Sequence, residues 1–283
     1  SLAIKKTGTV GIIIPTTSED YFSNPFFSES IKGIIRGASS SDYDLLISTN
    51  TEKGEELKII QKFIKGSKVD GIILMTSKEE DECIDYLMSM DFPFSLIGTA
   101  YDENEEINQV DNDNYQAAYE LTKHIIDSGR NRIAIIVGDM NLMVSKKRVA
   151  GYKQALIDCN IDFDENLLFS GSFDEKIGYD YAEEISKIEP LPDGLVVTDD
   201  LVALGAVKAF ENLGINIPKD IAIASFNNSV FAKHSNIPLT SVDINAIELG
   251  RQAMNLLVTA IEEETRGKKV SIPHKIYKRE STG

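Results

Sequence analysis

The chain is short of basic charge. Against 45 Asp and Glu it carries 29 Lys and Arg, for a formal net charge of −16. Phosphate neutralisation supplies most nucleic-acid affinity, so binders spread basic residues over a contact face. This chain is therefore a poor DNA binder, and DNA contact is expected only from a basic segment outside it. Cysteine is nearly absent. Cys83 and Cys159 lie far apart, which excludes a disulfide framework and fits a reducing cytoplasm. No run reaches the roughly 18–20 apolar residues of a membrane span. The opening SLAIKKTGTV has no apolar signal-peptide core, so no membrane partner is expected. Catalytic signatures are missing too. There is no phosphate loop of G-x-x-x-x-G-K-[ST] spacing, no G-x-G-x-x-G after the first apolar run and no G-x-S-x-G elbow. The three histidines, His124, His234 and His274, show no paired metal spacing. The expectation is a protein that is not an enzyme, with no catalytic residue, no metal and no cofactor.

What is present is an alternation. The 283 residues, 42% hydrophobic and 26% charged, suffice for two α/β cores. Apolar β-branched runs such as TVGIII (9–14), GIILM (71–75), RIAIIV (132–137) and IAIASF (221–226) each precede an amphipathic stretch. Strand-then-helix units of this kind build parallel sheets, and strands covered on both faces read as continuous apolar runs. The series restarts at Arg132, which predicts an α/β fold of two doubly wound parallel-sheet lobes. A helix over 247–262 and a strand over 275–278 are left over after the second series. They are placed by letting the chain cross back, in a three-segment hinge near 129–131, 242–245 and 268–271. The expected lobes are 8–129 plus 245–268 and 131–242 plus 270–283, and such a hinge permits closure of a cleft.

Ligands of open parallel sheets bind beyond the C-terminal ends of the strands, which directs attention to residues just after strands. After the first strand, Asn24-Pro25 reads as a helix cap with Pro at the first position, putting Phe26 and Phe27 on the first turn. Asp199 and Asp200 follow GLVVT, and one of them must cap the helix LVALGAVKAF. Asn227 and Asn228 follow IAIASF and suit a turn with left-handed backbone. Phe173 is a candidate ring for stacking on a pyranose face. Asp113 reads as a helix cap or a ligand contact.

As a set, the motifs resemble one family. They are TVGIIIPTT…NPFF, V-x-x-DN-x-x-A in VDNDNYQAAY, R-x-x-G-[FY] in KRVAGY, T-x-D-x-x-A-x-G in TDDLVALG, then PLTSVDINAIELGRQAMNLLVTAI and PHKIYKREST. Their order and spacing resemble the effector-binding core of LacI/GalR-type transcription regulators, a fold similar to type I periplasmic binding proteins. The FNN triplet resembles maltose-operon regulators within the family. The resemblance implies that Phe26 lines the cleft, that Arg148 grips ligand oxygens with its rigid fork of donors, and that Asp113, Asp199 and Asn227 meet the ligand. Asp200 is then left for the helix cap and dipole. It further implies a small saccharide effector, a homodimer formed through Gly54–Phe63 and Asp81–Met90, and operator DNA contacted only through an N-terminal helix-turn-helix domain missing here. Ser1–Thr7 resembles the tail of the linker to that domain. The implied role is repression of sugar utilisation genes; the rival is a periplasmic sugar receptor of a transport system.

Overall fold

A computed structural model describes residues 6–17, 23–50, 54–101 and 105–283. Most of the linker-like segment Ser1–Thr7, and part of the loop after the first strand, lie outside these residues. The chain forms two compact units, Ser1–Asp111 with Ala246–Ile272 and Asn112–Asn245 with Pro273–Gly283.

In unit 1 the strands are β1 (Thr9–Thr17), β2 (Asp44–Asn50), β3 (Gly71–Leu74), β4 (Phe94–Ile97) and β5 (Gln109–Asp111), with helices α1 (Pro25–Ser41), α2 (Glu56–Lys65) and α3 (Glu82–Ser89) between them. Unit 2 continues with α4 (Asn114–Asp127), β6 (Ile133–Val137), α5 (Met143–Asp158), β7 (Leu168–Ser170), α6 (Glu175–Ile185), β8 (Gly194–Val197), α7 (Asp200–Asn212), β9 (Ala222–Phe226), α8 (Val230–His234) and β10 (Thr240–Asp243). The chain then returns to unit 1 for α9 (Ala246–Glu263) and β11 (Lys269–Ser271), and ends in unit 2 with β12 (Lys275–Tyr277).

The sheets have matching orders, β2-β1-β3-β4-β5-β11 and β7-β6-β8-β9-β10-β12. The first is parallel throughout, and the second has a single antiparallel edge pair, β10 with β12. The inner strands β3, β4, β6, β8 and β9 are buried along their whole length, as expected of apolar runs covered by helices on both faces. Each fully buried Ile or Leu in them contributes roughly 1.5–3 kcal/mol. Edge strands β11 and β12 instead expose Lys269 and Lys275, charges that discourage further strand pairing.

Three helix pairs cross at glycine. A Cβ on Gly33 of α1 would lie 1.8 Å from the Ile247 carbonyl oxygen of α9, and one on Gly250 of α9 would lie 1.9 Å from that of Ser30. Gly178 of α6 and Gly205 of α7 meet the Val202 and Glu175 oxygens at 1.9 Å in the same reciprocal way. Gly151 of α5 faces the Tyr115 oxygen of α4 at 2.0 Å. Only a residue without a side chain permits backbones this close.

The last pair corrects the expected domain boundary. The first crossing falls after Asp111, not near 129–131, so α4 belongs to unit 2. Its buried face, Ala117, Ala118, Leu121 and Ile125, is turned inward there because α4 packs on α5 through Gly151. The other two crossings follow Asn245 and Ile272. Side chains and backbone stitch the crossings within each unit. Asn112 Nδ2 donates to the Ile244 carbonyl (3.0 Å) in unit 2, and the Ile272 amide donates to the Asp111 carbonyl (2.9 Å) in unit 1. Helix α9 is fixed to unit 1 by Ser95 of β4, whose Oγ donates to the Ala253 carbonyl at 2.8 Å. Asn108 seats β11 beside β5, donating to the Thr265 carbonyl and accepting from the Lys268 amide, both at 3.0 Å.

Candidate functional site at the strand ends of unit 2

In a sheet ordered β7-β6-β8-β9, the connection leaving β6 runs to β7 and the one leaving β8 runs the opposite way to β9, so the crevice opens beyond the C-terminal ends of β6 and β8. The residues that follow these strands form one connected cluster. Arg148, on the second turn of α5, is only 6% exposed. Its Nε donates to Asn114 Oδ1 (2.9 Å), its Nη1 donates to the Thr198 carbonyl (2.7 Å), and its guanidinium lies 4.0 Å from the centre of the Phe226 ring. A long flexible side chain is thereby held as a flat, fixed plate of donors, with a cation–π contact beneath it.

Thr198 leads into Asp199, which is also buried. Asp199 has extended backbone (φ −157°, ψ 139°) and caps α7: its Oδ1 accepts from the amides of Leu201 (2.8 Å) and Val202 (3.4 Å). Its Oδ2 accepts from Asn227 Nδ2 at 2.9 Å. This corrects the division of labour between the two aspartates, for the cap is Asp199 and not Asp200. The helix starts at Asp200, so only the residue before it has the extended backbone a cap requires.

Asp200 lies beneath the cluster, 1% exposed. Its Oδ1 accepts from Ser225 Oγ (2.5 Å) and Ser241 Oγ (2.8 Å), and its Oδ2 from the Ser229 amide (2.7 Å). Burial pushes the Asp200 carboxyl above the usual carboxylate range, and the hydrogen bonds from Ser225, Ser229 and Ser241 offset part of that rise. Asn227 and Asn228 form the turn after β9 with positive φ, 103° and 48°. Asn228 Nδ2 donates to Asp243 Oδ2 at 2.9 Å, and Arg279 Nη2 donates to Asn228 Oδ1.

Arg148, Asp199 and Asn227 are thus brought together. Asp113 is exposed and caps α4 through the Gln116 amide (2.9 Å); its neighbour Asn114 is the residue that reaches Arg148. Phe173 is half-buried with its ring over Gly138, where a Cβ would meet it at 2.0 Å. That places the ring at the end of β6. Phe26 is in unit 1, half-buried, edge-on to Phe27 at 5.3 Å between ring centres. Asn24 caps its helix as the Asn-Pro pair implied, accepting from the Phe26 amide at 2.9 Å. Sequence reasoning missed Asn114, Phe226 and Arg279. Asn114 shares the Asp-Asn pair with Asp113, the one available signal; Phe226 reads as plain core, and Arg279 reaches the turn from the far end of the chain. Among the described residues, no group of three His, Cys, Asp or Glu is placed to hold a metal, and no helix is long and apolar enough to cross a membrane.

Two α/β units of one sheet order, with polar side chains gathered past the strand ends, define a small-molecule receptor of the periplasmic-binding-protein type. Comparison narrows the class. Residues 7–280 match the family of periplasmic binding proteins and sugar binding domains of the LacI family. The HTH-type transcriptional regulator MalR of Streptococcus pneumoniae is 32% identical over 285 aligned residues, covering 99% of this chain and 84% of MalR. The crystal structure of a putative transcriptional regulator LacI from Bacillus cereus subsp. cytotoxis superposes with a TM-score of 0.94 at 37% identity, covering 98% of each chain. A CelR–cellobiose complex superposes at 0.92 with 26% identity, over 98% of this chain and 85% of that one. The chain belongs to the LacI family, as the sugar-sensing core of a transcriptional regulator. The named relatives are regulators, not enzymes or transport receptors.

Proposed function

We propose that the chain senses a small saccharide at the strand ends of unit 2, and that this controls repression of sugar utilisation genes, with a maltose-type glucoside the first candidate. The observation that carries this reading is the Arg148–Thr198–Asp199–Asn227 cluster. Donors from the guanidinium and amide stand beside carboxylate acceptors on a rigid frame. Sugar hydroxyls need such paired donors and acceptors, and a site built this way discriminates sharply against ligands lacking them. The relative named MalR and the neighbour solved with cellobiose support the same ligand class. Phe173 supplies a stacking face for a pyranose, Asp113 an exposed carboxylate at the end of α4, and Phe26 of unit 1 an apolar contact carried over from the family resemblance. Effector and operator affinities are linked only if the saccharide binds two conformations unequally. The operator is held by the helix-turn-helix domain of the regulator and read by a homodimer, as the resemblance implies.

The test is calorimetry or thermal shift with maltose, cellobiose and their monosaccharides on the wild-type chain and on Arg148→Ala. Wild type is expected to bind at least one of them. The variant is expected to bind roughly 30- to 150-fold more weakly, the ~2–3 kcal/mol of a charged hydrogen-bonding group. Equal affinity in the variant overturns the site assignment.

A further inference from the structure

The turn after β9 holds two non-glycine residues in succession at positive φ, 103° for Asn227 and 48° for Asn228. Backbone of this kind persists only where its surroundings over-determine it. Here three backbone donors are each given an acceptor. The Asn227 amide donates to the Val242 carbonyl (2.8 Å), the Asn228 amide to Ser241 Oγ (2.9 Å) and the Ser229 amide to Asp200 Oδ2 (2.7 Å). Asp200 governs two of the three. It accepts the Ser229 amide directly. It also takes the single hydroxyl proton of Ser241 (2.8 Å), which turns a Ser241 lone pair toward the Asn228 amide. Ser225 Oγ, from the strand beneath, donates to the same oxygen at 2.5 Å. An ionised carboxylate, acceptor-only on both oxygens, takes these three donors without giving up any of them.

We propose that Asp200 is a positioning residue: without touching the saccharide, it fixes the Asn227–Asn228 turn, and so sets where the Asn227 amide and the Asp199 carboxylate stand toward the ligand's hydroxyls. This rests on the reading of unit 2's strand ends as the saccharide site. Asp200→Asn keeps the shape and exchanges one acceptor for a donor. Whichever way the amide lies, at least one of the three donors loses its acceptor, and the turn is held less firmly. The bonds that hold Arg148 to Asn114 and Thr198, and its contact with Phe226, do not pass through Asp200.

The experiment measures affinity by calorimetry for the saccharide that binds wild type most tightly, with circular dichroism and melting temperature to confirm folding. Asp200→Asn is expected to weaken binding about tenfold. Because it acts through Asn227, the double variant Asp200→Asn/Asn227→Ala is expected to be within twofold of the weaker single variant. Asp200→Asn with Arg148→Lys is expected to multiply, since the hydrogen bonds of Asp200 go to Ser225, Ser229 and Ser241 and not to the groups that hold Arg148. A general loss of structure would multiply with both. If Asp200→Asn does not fold, Ser241→Ala removes the relay to the Asn228 amide alone and is expected to show the same non-additivity at smaller size. Should Arg148→Ala bind like wild type, the site reading itself fails. Should Arg148→Ala lose binding while Asp200→Asn retains it, or while Asp200→Asn multiplies with Asn227→Ala, the positioning role alone is overturned.

Discussion

Both units lay their strands in the same order, yet the strand ends are furnished differently. In unit 2 they carry a buried polar network running from Arg148 through Asp199 to Asn227, with Asp200 beneath. In unit 1 the described counterpart is a cavity of about 20 Å³ lined by Ile13, Leu74, Met75, Glu56, Lys78 and Cys83, room for about one water. Burial pushes the Cys83 thiol up to about 12, with the nearby Asp81 and Glu56 carboxylates adding to the rise. One sheet design thus carries a buried hydrogen-bonding network at the strand ends of unit 2 and, among the described residues of unit 1, a water-sized cavity whose lining mixes apolar side chains with Glu56, Lys78 and Asp81. The sheet order sets where a site is possible, and the residues after each strand set its chemistry.

The units also differ in how their glycine crossings are assembled. In unit 2, Gly178 and Gly205 sit on consecutive helices; in unit 1, Gly33 and Gly250 are brought together from opposite ends of the chain. The sharpest way to break this parallel is to fill one crossing in each unit. Gly33→Ala and Gly178→Ala each place a methyl group inside 2 Å of a carbonyl oxygen. Each is expected to cost about 3 kcal/mol or more, a fall of roughly 6–12 °C in melting temperature. If Gly33→Ala melts like wild type while Gly178→Ala does not, the two crossings are not equivalent. A smaller effect is expected at Ser281, buried in unit 2, whose Oγ accepts from the Thr240 amide (2.8 Å) and donates to the Ile223 carbonyl (2.6 Å). Ser281→Ala leaves both groups buried without that partner, at about 1–3 kcal/mol, and urea denaturation measures it. The closing segment contributes little to unit 2 if the midpoint does not move.

The smallest effect is a pH dependence confined to unit 2. His124 of α4 meets Thr282 Oγ1 through Nε2 at 3.0 Å. Burial lowers its affinity for a proton, with Lys278 adding to the effect. The unfolded chain then binds the proton more readily than the native one. Stability is complete above the unfolded value of about 6.5 and falls as the pH drops below it. Between pH 7.5 and 5.5 the melting temperature is expected to fall by roughly 1–3 °C more in wild type than in His124→Gln. Equal slopes would remove His124 from the account.

The inner strands were legible because residues buried on both faces leave uninterrupted apolar runs, as in GIIL and IAIIV. The return of 247–262 to unit 1 was legible because the second series of strands had no place for it. The departure of α4 was not, since β5-α4-β6 reads as one more strand-helix-strand unit. The fit of Gly151 against Tyr115 and the hydrogen bond from Arg148 to Asn114 assign that helix to its neighbour. In the site, the R-x-x-G-[FY] motif located Arg148. The roles of Asp199 and Asp200 were beyond reach, because adjacent carboxylates at a helix start are told apart only by where the backbone turns from extended to helical. Asn114 became visible only once α4 was seen to start at that residue.

The exchange of α9 into unit 1 has a consequence for synthesis. As the polypeptide leaves the ribosome, most of the first sheet is made early, but the helix that closes the face of α1 and the strand that lies beside β5 emerge only after ten of the twelve described strands have been made. Until then, the glycine face of α1 and the outer edge of β5 wait uncovered, while nearly all of the other half is available to mature. The half translated first is the one finished late, and nascent chains are most exposed to mispairing along that waiting edge.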